Sequence, residues 1–491
     1  MRRRVALAAC AAVASLAGSA FASGSLETTG AATAANGFAA RVFSRGAEAT
    51  YYDPALLADV HAVTTVGVFV LASHESVHLL PRPSGVDVPK AVYGAQLRNP
   101  DGSTSRLVDR PLATADLPAA RADTDETEPA GYVSLGYVRP IFGKALVFGF
   151  YGVLPLTTFQ RQHAFFADER EQFFSDRLRF ELLCDRLVQS SFAVALGSRP
   201  VPWMSLGLGI DITIGTVART AVHVPDAGDQ RQILLNPDVE VTSTASPYFA
   251  LATYPTRALT LSTTLHLPVS SDTDGENQVR FWNYTYPEGE DSVRQVFAQS
   301  LAYEPVRLGV GARWIVRAPS EQATGLELGA QAVVARWSTY VDRHAEQPAD
   351  PFRNTVSPTL GAAVSMGARR LAADLGFSPS PGPPQQGRSN YVDGSRLSAD
   401  LAYETPVTIP GTRLTFCARA FGQLFLERSE VKRPDARHPV ADELPDGVTD
   451  VVTDEPVAGA AGLQTNNPGY PGYTSTAWLV GGGLSVAVPG L

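Results

Sequence analysis

A stretch of phenylalanine and arginine residues between positions 161 and 177 is the strongest candidate for direct contact with a ligand. Its four phenylalanines form two pairs spaced eight residues apart, close to two helical turns, so the rings can share one helix face. The three arginines can pair with a carboxylate. The predicted ligand-binding residues are Phe165, Phe166, Phe173, Phe174, Arg161, Arg170 and Arg177. The alternative is that the phenylalanines only pack this connection onto the rest of the protein.

Patterns for catalysis or metal binding are weak in this chain. No G-x-S-x-G nucleophile motif is present. His74 and His78 have the spacing of a helical metal pair, but they lie at the end of a predicted strand, where residues four apart form no helix face. Cys184 and Cys417 can form at most one disulfide and lack metal-ligand spacing. We therefore expect no enzyme activity, no metal and no cofactor.

The composition excludes several classes of protein. Of 491 residues, 44% are hydrophobic and 18% charged, which argues against both a disordered chain and a bundle of membrane helices. The formal net charge is −9, and no concentrated basic face is available for nucleic acid. We expect no nucleic-acid partner.

The first 22 residues have the features of an export signal. Arg2, Arg3 and Arg4 precede an apolar stretch, and Ala20-Phe21-Ala22 matches an A-x-A cleavage site. Residues 1–22 are therefore predicted to be a signal peptide, and the mature chain to begin at Ser23. A lipoprotein site at Cys10 is the weaker alternative, because few apolar residues precede it.

Beyond the signal, apolar and polar residues alternate with a period of two. In residues 203–224, Leu206, Leu208, Ile210 and further aliphatic residues share one face, opposite a polar, glycine-rich face. Such a strand is longer than the roughly 3–10 residues usual in soluble proteins. The length favours a transmembrane β-barrel with its aliphatic face toward lipid and its polar face toward the lumen. A large soluble β-sandwich, solenoid or barrel is the alternative.

The alternation predicts an all-β, antiparallel transmembrane β-barrel of about 14 strands within residues 61–491. The predicted strands are 61–80, 131–142, 144–155, 187–200, 203–224, 246–257, 258–270, 293–317, 324–343, 353–368, 369–378, 393–405, 411–428 and 474–488. Long polar connections are predicted at 81–130, 156–186, 225–245, 271–292 and 429–473 and are expected on the outer side of the membrane.

Residues 23–60 precede the first strand and do not alternate. They are small and mildly apolar, with too few charges for a disordered tail. Because the lumen of so large a barrel is too wide for side chains alone to fill, we expect this segment to plug it.

Several motifs in this chain resemble the FadL/TodX family of outer-membrane transporters for long-chain fatty acids and other hydrophobic compounds. The hatch motif of that family, usually Asn-Pro-Ala, corresponds to Asp53-Pro54-Ala55, so one neutral residue is replaced by an acid. The stretches Leu375 to Pro381, Ser389 to Asp393 and Asn466 to Val486 resemble its late strands and turns. The end, Val488 to Leu491, differs from the aromatic residue that usually ends such barrels.

The resemblance implies a 14-stranded barrel with an N-terminal hatch, placed in the bacterial outer membrane by the barrel-assembly machinery. It implies uptake of a long-chain fatty acid or other hydrophobic small molecule, which is captured at an apolar outer site and released by hatch rearrangement. Contact with outer-membrane lipid and a monomeric state are also implied. Two alternatives remain: a barrel with an adhesive or envelope-structural role through its loops, and a general porin for polar solutes.

Overall fold

The computed structural model describes residues 24–80, 96–98, 102–106, 123–142, 145–156, 178, 180, 187, 190–224, 234–281, 292–319, 324–341, 347, 348, 350–386, 390–409, 412–432, 469 and 472–490. Strands dominate these residues, as the alternation predicted. Within them, no helix has the length and apolar character needed to cross a membrane.

Fourteen of the sixteen strands in the main sheet form a closed barrel. They are β1 Val63–Leu79, β4 Thr124–Ile141, β5 Leu146–Pro155, β6 Ser191–Val201, β7 Met204–Val224, β8 Leu234–Thr256, β9 Leu259–His266, β12 Arg307–Arg317, β13 Gly325–Ala335, β14 Thr355–Met366, β15 Arg369–Ser378, β16 Arg396–Ile409, β17 Thr412–Val431 and β18 Gly472–Pro489.

Every wall strand pairs antiparallel with the next wall strand along the chain, and β1 closes the barrel against β18 with Val63 opposite Pro489. Turns such as 202–203, 257–258 and 367–368 join strands at one end, which we call the short-turn end. The other end is called the long-loop end. The predicted antiparallel barrel of 14 strands is confirmed.

Strand bounds differ from the prediction mainly at the long-loop end. Strand β8 begins at Leu234, within the connection predicted at 225–245. The predicted strand 293–317 is two strands, β11 Ser292–Glu304 and β12, because β12 pairs with β9 in the wall whereas β11 pairs outside it. Strand β11 pairs with β10 Val269–Phe281 in a hairpin, where the sequence suggested a loop at 271–292.

A few further elements lie outside the barrel wall. The connection predicted at 81–130 holds a small hairpin of β2 Gln96–Arg98 and β3 Thr104–Arg106, and β4 already begins at Thr124. The predicted strand 324–343 ends at Ala335, and a 3-10 turn follows at Trp337–Thr339.

The wall strands expose aliphatic residues on one face and bury polar residues on the other. On β12, Leu308 and Val310 are exposed while Arg307 is buried; on β16, Leu401 is exposed while Asp400 is buried. The alternation therefore has the orientation predicted for a barrel in lipid, with an apolar outer belt and a polar interior.

The N-terminal segment, residues 24–60, consists of three short helices and a 3-10 turn: α1 Gly24–Thr29, α2 Ala40–Phe43, α3 Ala49–Tyr52 and Leu56–Asp59. Most of its side chains are buried. It contacts inward-facing residues on every side of the wall, for example Ser134 of β4, Tyr248 of β8, Asp374 of β15 and Ser485 of β18. The segment therefore lies inside the barrel.

Candidate functional site

Two wall carboxylates bind the backbone of the N-terminal segment at the start of α2. One oxygen of Asp374 accepts hydrogen bonds from the N–H groups of Phe38, at 3.1 Å, and Ala39, at 3.0 Å. Its other oxygen accepts one from the Asn36 amide at 2.6 Å. Asp400 accepts one from the N–H of Gly37 at 3.0 Å. These three N–H groups belong to the residues just before the helix, and the carboxylates give buried backbone donors the partners that they need.

Arg419 connects the Asp400 carboxylate to nearby aromatic residues. Its Nε donates to Asp400 at 2.6 Å, and Nη1 donates to the carbonyl oxygen of Thr29 at 3.0 Å. The guanidinium also lies over the Phe38 and Phe421 rings, 4.7 and 4.5 Å from their centroids. This fully buried side chain therefore pairs with Asp400 within the wall and binds the N-terminal segment through a hydrogen bond to Thr29 and a cation–π contact with Phe38.

A second polar cluster surrounds Glu27 of α1. Its carboxylate accepts from Arg41 at 2.6 Å and from the Tyr51 hydroxyl at 2.8 Å, and Arg307 of β12 lies 3.7 Å away. Burial alone would raise the pKa of Glu27, but Arg307 and Arg41 outweigh it and hold that pKa well below its ordinary value. Glu27 is therefore ionised, and the segment is tied to β12 by charge.

The Asp53-Pro54-Ala55 motif closes a turn against the wall. One oxygen of Asp53 accepts from the N–H of Ala55 at 3.0 Å, and the other is hydrogen-bonded to the Ser262 hydroxyl of β9. The same hydroxyl lies 3.1 Å from the carbonyl oxygen of Arg41. Burial raises the pKa of Asp53 to about 7. The hydrogen bonds to Asp53 and the charge of Arg41 lower this pKa, but burial has the larger effect.

Two glycines of the wall make room for this turn. A Cβ added at Gly207 of β7 would collide with the backbone of Pro54 and Ala55, and one at Gly197 of β6 would collide with the Pro54 carbonyl oxygen. Since backbone atoms cannot move aside as a side chain can, the motif fits only against a wall without side chains at these positions.

Replacing Gly207 with alanine is expected to loosen the motif while the barrel still forms. Overpacking of this kind typically costs about 1–3 kcal/mol, so amide hydrogen exchange at residues 53–57 should be roughly tenfold to hundredfold faster. The matched control is Gly482→Ala on β18, whose added Cβ would meet nothing nearer than 3.6 Å. Equal exchange in the two variants would contradict a tight fit at Gly207.

A cavity of about 140 Å³, which we call the lumen cavity, lies between the N-terminal segment and the long-loop end of β12–β17. Its lining combines four kinds of side chain, of which the aliphatic ones are Pro305, Val333, Ala335, Pro379 and Pro381. Hydroxyl and amide groups come from Thr355, Ser357, Thr359, Ser378, Ser398, Gln331 and Gln423. Aromatic rings come from Phe38, Tyr52 and Trp337, and charged groups from Glu27, Glu304, Arg41, Arg307 and Arg396.

An aromatic cluster lies next to this cavity at the long-loop end. It consists of Tyr303, Trp337, Tyr340, Phe352 and Tyr391. Tyr340 stacks on Phe352 with centroids 4.1 Å apart, and Phe352 meets Tyr391 edge-on at 4.8 Å. Since Trp337 also lines the cavity, the cluster forms part of its wall. Sequence reasoning missed this cluster, because its members are far apart in the sequence and meet only through the strand pairing at the long-loop end.

The structure describes some of the residues that the sequence singled out, and others lie outside its described part. All seven predicted ligand-binding residues between 161 and 177 lie outside the described part of the chain. His74 and His78 are on β1, hydrogen-bonded to Thr127 and Asp123 respectively. Among the described residues, no group of histidine, cysteine and acidic side chains has the arrangement of a metal site. Cys417 is a buried free thiol.

No protein-family model matches this chain, and no curated protein sequence matches it. Among solved structures, a FadL homologue from Pseudomonas aeruginosa is 14% identical with a TM-score of 0.51, and the match covers 96% of this chain and 99% of that one. The P. putida toluene transporter TodX is 10% identical, with a TM-score of 0.43 and coverage of 95% and 99%. The CymD monoaromatic hydrocarbon channel is also 10% identical, with a TM-score of 0.43 and coverage of 92% and 94%.

At identities this low, structural similarity shows a shared fold and nothing more. Of these three structures, the FadL homologue has a TM-score high enough to show it. The match extends over nearly the whole of both chains. The chain therefore has the barrel fold of the FadL homologue, which is the fold that its sequence motifs implied.

Proposed function

We propose that this protein is a channel of the bacterial outer membrane that takes up hydrophobic compounds, with long-chain fatty acids as the first class to test. The observation that carries the proposal is the closed barrel whose interior holds the N-terminal segment and, beside it, the lumen cavity. The fold shared with the FadL homologue supports transport over catalysis.

The direction of transport follows from the two ends of the barrel. Long connections of outer-membrane barrels lie outside the cell and short turns face the periplasm. In that orientation, the lumen cavity opens toward the outside and the N-terminal segment separates it from the periplasm. In this proposal, residues 1–22 direct export, the barrel-assembly machinery inserts the chain, and the protein works as a monomer.

A ligand can pass only if the N-terminal segment, residues 23–60 in this proposal, acts as a movable hatch. Its contacts with the wall include many hydrogen bonds and ion pairs, such as those of Asp374, Asp400 and Arg419. Water or a passing ligand can replace such bonds, so the net cost of breaking each one is modest compared with its strength in isolation. A segment held in this way is suited to reversible release.

A disulfide between the segment and the wall tests this hatch. The Thr33 and Ser134 hydroxyl oxygens are 2.9 Å apart, so cysteines at these positions can be bridged. In a chain with Cys184 and Cys417 replaced by alanine, we expect Thr33→Cys/Ser134→Cys to block uptake of a labelled long-chain fatty acid when oxidised. Reduction should restore uptake.

Each single cysteine variant, treated with the same oxidant, is the control for side effects of oxidation. Cells without the protein give the background. If the oxidised double variant still takes up the fatty acid, movement of the N-terminal segment is not needed for transport. No protein-dependent uptake of fatty acids or of aromatic hydrocarbons would favour an adhesive or structural barrel.

A further inference from the structure

The connection between β15 and β16 crosses the inner face of the wall at the long-loop end. Its described residues are 379–386 and 390–395, which we call the inner loop. The buried Tyr473 of β18 donates from its hydroxyl to the carbonyl oxygen of Tyr391 at 2.8 Å. Ser475, the next inward residue of β18, donates to that of Val392 at 2.7 Å. Since β18 lies two strands beyond β16 and neighbouring strands are about 4.8 Å apart, the loop reaches roughly 10 Å across the wall.

Arg428 of β17 fixes the inner loop where it passes from β16 to β18. Its guanidinium donates to the hydroxyl of Ser380 at 3.1 Å and to the carbonyl oxygens of Pro383 and Asp393, the latter at 3.3 Å. Glu430 pairs with the same guanidinium at 2.8 Å and orients it. Because hydrogen bonds from a charged donor are stronger than those between neutral groups, one side chain holds the beginning and the end of the loop.

Close packing also restricts the inner loop. The fixed φ of proline limits the backbone at Pro379, Pro381, Pro383 and Pro384. A Cβ added at Gly382 would lie 2.5 Å from the ring of Tyr391 and 2.8 Å from the guanidinium of Arg428, so the two halves of the loop are in tight contact. Tyr391 belongs to the aromatic cluster, and the Arg353 N–H donates to the carbonyl oxygen of Pro381 at 2.8 Å. The loop therefore extends inside the wall from β18 to the connection that precedes β14.

The inner loop borders the lumen cavity. Pro379 and Pro381 line the cavity, and most of its other lining residues from the wall lie on β12 to β16, away from β18. We propose that the inner loop narrows the outer entrance of the barrel on the side of β16–β18, and that Arg428 is a positioning residue that limits the width of the ligands reaching the cavity. This inference rests on the outward orientation of the long-loop end in the proposed function and adds selection by ligand width to it.

The reactivity of a cysteine in the cavity measures the width of this entrance. Ser357 of β14 lines the cavity, and Ser357→Cys is made in a full-length chain with Cys184 and Cys417 replaced by alanine. Intact cells are treated from outside with a small sulfonated maleimide or with a bulky polyethylene-glycol maleimide. With the inner loop unmodified, we expect the bulky reagent to react much more slowly than the small one, once each rate is divided by its rate with free cysteine.

Two variants of the inner loop test the role of Arg428. Arg428→Ala should raise the rate of the bulky reagent about tenfold, the effect of losing one hydrogen bond to a charged group, and leave the rate of the small reagent nearly unchanged. Gly382→Ala should act in the same direction with the arginine in place, because its Cβ displaces Tyr391 or Arg428. The matched control is Arg317→Ala, an exposed arginine at the end of β12, which should change neither rate.

The possible outcomes separate this inference from the proposed function. The inference is overturned if the bulky reagent reacts as fast as the small one with the loop unmodified, or if neither variant changes the ratio of the two rates. Protein-dependent uptake of fatty acid would still support the channel in either case. If the small reagent cannot reach the Ser357→Cys thiol from outside, in a protein that keeps the barrel by circular dichroism, the outward orientation is wrong. The inference then fails together with the proposed direction of transport.

Discussion

Replacing Asp374 with alanine is expected to free the N-terminal segment from the wall and open the lumen to ions. The substitution removes the acceptors of the Phe38 and Ala39 N–H groups and of the Asn36 amide. Without Asp374 the N–H groups of Phe38 and Ala39 lose their side-chain acceptor inside the barrel, and each buried donor left unsatisfied costs about 1–3 kcal/mol. Single-channel recordings should show an open, conducting state that the unmodified protein populates rarely.

Graded and matched variants distinguish release of the segment from general damage to the barrel. Asp374→Asn keeps one acceptor oxygen and should give an intermediate open fraction. Asp125→Ala removes a carboxylate from an exposed position of β4, where it lies 3.4 Å from His74, and should not change conductance. If Asp374→Ala conducts no more than Asp125→Ala, the segment is held mainly by its apolar packing and the wall carboxylates do not control its release.

The alternating pattern was sufficient to predict the wall of the barrel. Leu308, Val310 and Leu401 follow the period of two and face outward as predicted. The pattern is local, since each residue needs only its neighbours to define its face. The predicted strand bounds were less accurate at the long-loop end. There, β8 and the β10–β11 hairpin are extended in stretches whose polar composition suggested loops.

The contacts inside the barrel could not be predicted in the same way. Asp374 and Asp400 bind backbone groups that are 336 and 363 residues away in sequence, so their role depends on strand register and closure of the whole sheet. The alternation predicts that Asp400 faces the lumen, but it does not predict which groups Asp400 binds. Asp53 was singled out only because its motif resembles that of a known family. The lumen cavity depends on the placement of seven strands, β11 to β17, and was not predicted.

The second large effect expected is a pH dependence of the N-terminal segment that originates at Asp53. The Ser262 hydroxyl lies within hydrogen-bonding distance of both Asp53 and the carbonyl oxygen of Arg41, yet it has one proton to donate. A proton on Asp53 satisfies all three groups, since Asp53 then donates to Ser262, which donates to Arg41. This arrangement and the raised pKa of about 7 both indicate that the docked segment prefers the protonated acid.

The sign of the effect follows from the two pKa values. Below the ordinary value of 3.8, Asp53 is protonated whether the segment is docked or released, and the contribution of Asp53 favours docking most. As the pH rises from about 4 to about 7, the released form loses its proton first, so docking is progressively weakened, and no further change from this group follows above about 7. The full difference is on the order of 4 kcal/mol, since each unit of pKa corresponds to about 1.4 kcal/mol.

Asparagine at position 53 should remove this dependence, because its amide can donate to Ser262 while its oxygen accepts from the Ala55 N–H. Hydrogen exchange of residues 49–57 should then be similar for both proteins near pH 4, after correction for intrinsic rates. Near pH 7.5 it should be much slower in Asp53→Asn than in the unmodified protein. Burial also raises the pKa of Glu48. Because both proteins contain Glu48, its effect on hydrogen exchange cancels in the comparison. Identical pH profiles for the two proteins would show that Asp53 is ionised when docked, and the acid would then have no role in holding or releasing the hatch.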